Sequence, residues 1–246
     1  MAIFESNNPV LKQKTFEEAS RIHDGGVMTI GGTVNKVAFL LLMVMAAAVY
    51  SWGLFSKGEN VTPFMIGGAI GGFILALVII FKKEWAPYLA PAYALAEGLF
   101  LGAISAYYGS LYEGIVLQAV GLTFGTFLAM LALYKFQVIR ATEKFRAIII
   151  TATAGIAIFY LIAMVLRMFN INIPFLHEGS TFGIIFSFVV VGIAALNLIL
   201  DFDMIENGAA QGAPKYFEWF AGFGLLVTLV WLYLEILRLL AKLNRR

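Results

Sequence analysis

The chain has no cysteine, which excludes disulfides and thiolate chemistry and leaves the redox compartment open. It has two histidines, His23 and His177, far apart in polar segments, so a histidine-rich metal centre is not expected. Charge is scarce: Asp, Glu, Lys and Arg make up 13% of 246 residues, about half the share of a soluble domain. The net charge of +2 supplies no broad basic field for nucleic acid. No nucleophile elbow, phosphate-binding glycine loop or serine–histidine pairing appears, so an enzyme is not expected. No apolar segment opens the chain as a cleavable signal would.

What the sequence has instead is apolar length. Hydrophobic residues account for 61% of positions and the mean hydropathy is +0.87. Too little polar surface remains to cover a water-soluble globule. Crossing a hydrocarbon core takes about 20 consecutive apolar residues, and seven such runs follow one another. They are Val37–Leu54, Pro63–Phe81, Pro87–Tyr108, Ile115–Tyr134, Ala147–Leu166, Thr181–Leu200 and Tyr216–Leu240. Lipid offers no partner to backbone N–H and C=O groups, so these runs are read as helices. The expected fold is an all-α integral membrane protein, a seven-transmembrane-helix bundle. Residues 1–34 form a polar tail and residues 35–246 the membrane domain.

Lys and Arg set the orientation. With the amino terminus in the cytoplasm, 11 of the 17 basic residues lie inside, as the positive-inside rule requires. The basic carboxyl terminus (Arg238, Lys242, Arg245, Arg246) opposes this locally. A last segment that stopped short of crossing would remove the conflict. The second run carries Gly67, Gly68, Gly71 and Gly72, two overlapping small-xxx-small pairs that allow close helix approach.

Polar groups inside spans are where function is sought, because each charge there costs about 2.5–3.5 kcal/mol on insertion scales. Glu97 falls near the middle of the third run. It is read either as a proton- or cation-binding group on a pathway or as a protonated carboxyl bonded between helices. At the end of the sixth run, Asn197 and Asp201 are four apart and share a helical face. A carboxylate at a helix C-terminus is opposed by the macrodipole, so Asp201 calls for a cation, a proton or water. In the last run Thr228 and Glu235 share a face, and Arg238 is placed to pair with Glu235. A retinal-type protein needs a lysine deep in its last helix; Lys215 and Lys242 only flank this one.

Three stretches carry a resemblance to a known family: Ala92 to Gly102 (AYALAEGLFLG), Leu200 to Ile205 (LDFDMI) and Leu225 to Glu235 (LLVTLVWLYLE). Their order and spacing resemble the Bax inhibitor-1, or transmembrane Bax inhibitor motif, family and its bacterial branch. The resemblance implies a bundle with the last helix central. It also implies a pH-sensitive calcium leak whose gate is an aspartate ending the sixth helix, paired with one in the seventh. Asp201 matches the first position; the second is Thr228, which does not titrate. Glu97 or Asp203 is then the candidate for the other carboxyl group. Lys82 and Lys83 stand near the family's basic residue, the latch for the sixth-helix aspartate. Calcium, met transiently by Asp201 and Glu97, is expected as permeant ion and no cofactor is expected. The expected setting is a bacterial inner membrane with the amino terminus cytoplasmic. Some family members are thought instead to restrain other membrane proteins, such as a quality-control protease. That is the competing expectation.

Overall fold

In the computed structural model, residues 26–169 and 180–245 are described. The polar tail before Gly26, His23 with it, and His177 lie outside the described residues. Seven long helices follow: α1 (Ile30–Ser56), α2 (Thr62–Phe81), α3 (Ala86–Leu111), α4 (Ile115–Lys135), α5 (Glu143–Met168), α6 (Thr181–Ala210) and α7 (Phe217–Asn244). A single 3₁₀ turn, Lys83–Trp85, joins α2 to α3. All seven are long and apolar enough to cross a bilayer.

Local chemistry accounts for the helix ends. Thr29, Thr142 and Ser180 are extended N-cap residues whose hydroxyls accept from the N–H groups of Gly32, Phe145 and Gly183. Pro63 and Pro87 sit in first turns, where a missing N–H costs nothing. The helix α3 runs on through Pro91. Between α3 and α4 the chain reverses through Gly114 at φ 74°, a conformation that favours glycine.

The helices are longer than the apolar runs that announce them. α1 starts at Ile30 rather than Val37, and α6 continues past Leu200 to Ala210. Hydropathy marks what crosses the hydrocarbon, whereas a capped helix extends through polar interfacial residues at little cost. With 30 residues, α6 is roughly 45 Å long at about 1.5 Å per residue. It overshoots a hydrocarbon core of about 30 Å.

The most enclosed helix is α7. Of its most apolar stretch 72% is buried, against 6% for α5, and it packs against α1, α3, α4 and α6. Two other pairings, α1 with α3 and α2 with α3, complete one side of the bundle, while α5 attaches mainly to α6. The start of α1 is fastened to the α6–α7 turn: Met28 N–H donates to the Ala213 carbonyl at 2.7 Å and Lys215 N–H to that of Gly26 at 3.1 Å.

The last helix runs the length of the bundle. At its far end Lys242 Nζ donates to the Gly183 carbonyl (3.0 Å) and Ser187 Oγ (2.8 Å) at the start of α6. Arg245 Nε donates to the Tyr112 hydroxyl (3.0 Å) in the α3–α4 turn. Lys242 and Arg245 therefore lie at the end of the bundle opposite the start of α1.

Candidate functional site: carboxyl groups between the helices

Successive residues of a helix point about 100° apart, and the end of α6 uses this to reach three neighbours. Phe202 packs its ring on Phe127 and Tyr134 of α4, with centroids 5.6 and 5.9 Å away. Asp203 takes the Arg146 guanidinium of α5 in an ion pair and the Asn207 amide at 2.9 Å. Asp201 is left to face α7, where its carboxyl meets the Thr228 hydroxyl. Its Oδ2 is sealed from solvent and, among the described residues, has no hydrogen-bond partner.

Thr228 suits either protonation state of that carboxyl. Its Oγ1 also lies 3.3 Å from the Gly224 carbonyl on its own helix. A hydroxyl has one proton to give and lone pairs to receive. It can donate to an ionised Asp201, or donate to Gly224 and accept from a protonated one.

One turn deeper, Asn197 Nδ2 donates to Thr153 Oγ1 of α5 at 2.8 Å and to the Ile193 carbonyl at 2.9 Å. Its amide is thereby committed to tying α5 to α6. At the outer end of α6, Glu206 accepts from the Tyr134 hydroxyl. Asp203 and Glu206 thus form a polar layer at the bundle end, and Asp201 lies just beneath it.

Glu97 occupies a different interface. It is 9% exposed and aimed at α2, where a Cβ placed on Gly72 would stand 2.8 Å from its Oε2. The glycine makes the room the carboxyl occupies. One turn earlier, Tyr93 stacks edge-on against Phe223 of α7 at 4.9 Å. Of the four glycines on α2, Gly68 and Gly72 face α3, whereas Gly67 and Gly71 have nothing within 4 Å. Lys83 places its ammonium over the Phe217 and Phe220 rings (5.9 and 5.2 Å) at the start of α7. Among the described residues neither Lys82 nor Lys83 pairs with Asp201. The structure therefore brings Asp201 and Thr228 together, turns Asp203 to Arg146, and keeps Glu97 between α2 and α3.

Two buried acids complete the inventory. Glu235 pairs with Arg238 at 2.8 Å, and both take the Tyr160 hydroxyl of α5 into a triad (Tyr160 to Glu235 Oε1 3.0 Å, Arg238 to Tyr160 3.0 Å). Glu218 is fully buried at the start of α7. Its Oε1 accepts from the Thr29 N–H (3.0 Å), the Thr29 hydroxyl (2.9 Å) and Lys215 Nζ (2.8 Å), while Oε2 is buried without a partner. Sequence reasoning passed over Glu218 because it stands at a span edge, where a wet glutamate is ordinary. The one available signal was a lone acid amid Tyr216, Phe217, Trp219 and Phe220.

Among the described residues no group of three or more acidic or histidine side chains converges as a metal cage would. No curated protein and no solved structure matches the chain. A family model does: the one described as Bax inhibitor 1 like covers residues 8–245, nearly the whole chain, and the chain belongs to that family.

Proposed function

We propose that the protein is a passive, proton-modulated cation leak, with calcium as the permeant ion, in a bacterial inner membrane with its amino terminus cytoplasmic. One observation carries this reading: Asp201 stands between α6 and α7 with its carboxyl Oδ2 sealed from solvent and, among the described residues, without a hydrogen-bond partner, beside a hydroxyl that serves either protonation state. A neutral Asp201 is compatible with a dry, closed interface. An ionised one has no cation partner there among the described residues, and a buried unpaired charge costs several kcal/mol. Parting α6 from α7 lets water or a cation reach the carboxylate, so loss of the proton favours opening. Oxygen donors suit calcium, and a single carboxylate holds it weakly enough for release. Glu97 supplies a second carboxyl within the bundle, in the α2–α3 interface.

Calcium entry into liposomes carrying the purified protein, followed from pH 5 to 8, tests this. The expected result is flux that rises with pH and loses that dependence in Asp201→Asn. Flux equal to that of empty liposomes at every pH would overturn it.

One feature favours a second reading, a non-transporting regulator of other membrane proteins. With only 6% of its apolar stretch buried, α5 leaves most of its length for a partner helix. Absent flux together with capture of a partner such as a quality-control protease through α5 would support that reading.

A further inference from the structure

Between α1 and α4, on the face where α1 begins, the bundle holds an open cavity of about 430 Å³. Its walls are apolar along most of their depth, with Val34 on α1 and Phe127 and Leu131 on α4. Its polar lining comes from Thr33, Tyr134, Lys135, Gln137 and Glu206, with Tyr134, Lys135 and Gln137 at and just past the end of α4. The turn after Lys135 suits a membrane surface, since Phe136 and Val138 expose 75% and 68% of their area. An apolar slot with a charged mouth at that level matches an acyl chain below a lipid headgroup.

The charges select the headgroup. Lys135 closes α4 as its last residue and Glu206 stands on α6. Both line the same cavity, yet among the described residues no ion pair joins them. The recorded partner of Glu206 is the Tyr134 hydroxyl. A cation with no ion-pair partner among the described residues and a carboxylate on the same cavity complement a zwitterion whose phosphate and amine are both accessible. We infer that this groove binds an aminophospholipid of the phosphatidylethanolamine type, its phosphate on Lys135, its ammonium on Glu206 and one acyl chain between α1 and α4. A quaternary ammonium cannot donate to Glu206, and an anionic headgroup would face that carboxylate unfavourably.

The test uses the delipidated full chain in detergent. It is offered an equimolar mixture of phosphatidylethanolamine, phosphatidylcholine and phosphatidylglycerol of one acyl composition, and retained lipid is read by native mass spectrometry. Ethanolamine lipid should exceed choline lipid by about three- to fivefold, the scale of one partly exposed ion pair. Glu206→Gln keeps an acceptor for Tyr134 and should bring retention of the ethanolamine lipid down to that of the choline lipid. Lys135→Gln should lower retention of all three lipids. So should Val34→Trp, at a position 58% exposed, by filling the slot. Equal retention of the three lipids, a preference for the glycerol lipid, a preference unmoved by Glu206→Gln, or no retained lipid would each overturn the assignment.

Discussion

The Thr228 hydroxyl of α7 stands between two acceptors, the Asp201 carboxyl on α6 and the Gly224 carbonyl one turn back on its own helix. Thr228→Val keeps the shape and removes both options. It should lower the thermal unfolding midpoint in detergent by the equivalent of about 1 kcal/mol, the net worth of one such bond. The loss should be larger at pH 8 than at pH 5, because an ionised Asp201 needs a donor more than a neutral one does. A pH-independent loss would show that Thr228 does not address the carboxyl.

Alternation on α2 gives a second expectation. A Cβ on Gly68 would fall 2.5 Å from the Ala96 carbonyl oxygen, a backbone atom that cannot swing aside, whereas Gly67 and Gly71 have open space. Gly68→Ala should therefore cost about 1–3 kcal/mol by overpacking, while Gly67→Ala and Gly71→Ala should leave the midpoint unchanged or slightly raised. Gly102 is tighter still, 2.2 Å from the Ala48 carbonyl on α1, and Gly102→Ala should reduce the yield of folded protein. Equal tolerance at Gly67 and Gly68 would contradict the packing described.

The clamp between Glu218 and Thr29 joins helices 189 residues apart. Glu218→Ala strips Thr29 of its acceptor and should cost about 2–3 kcal/mol, as removal of a charged hydrogen-bond partner does. Gly32 belongs to the same unit, since a Cβ there would stand 2.0 Å from Glu218 Oε1. Gly32→Ala should be destabilising in the wild type and nearly free in the Glu218→Ala background, a non-additive pair in a double-mutant cycle.

How far the sequence reaches depends on which physical rule each feature obeys. Seven spans were legible because every run of about 20 apolar residues must cross or be buried, and the structure holds a helix at each. The Glu235–Arg238 pair was legible too, being local at i and i+3. Tyr160, which joins it from α5, was not, because nothing in a sequence says which way two spans face each other. The same gap left open which carboxyl stands nearest Asp201. Only helix rotation, set by packing, sends Asp203 to Arg146 and Glu97 to Gly72. Glu218 was missed because burial at a span edge depends on the α1 start folding back over it.

A last expectation concerns Thr228, the α7 residue that faces Asp201. In Thr228→Asp two carboxyl groups would share the α6–α7 interface, and both cannot ionise cheaply. At low pH they hold a proton between them and the α6–α7 contact persists. As pH rises the second proton must leave, like charges repel in a dry contact, and stability falls. The difference in unfolding midpoint between wild type and Thr228→Asp should therefore be small at pH 5 and grow toward pH 8, with calcium flux rising over the same interval more steeply than in wild type. Asp201→Asn in the Thr228→Asp background leaves a single carboxyl and should restore a shallow profile. A Thr228→Asp protein whose flux and stability track wild type at every pH would mean that the two side chains do not share one interface.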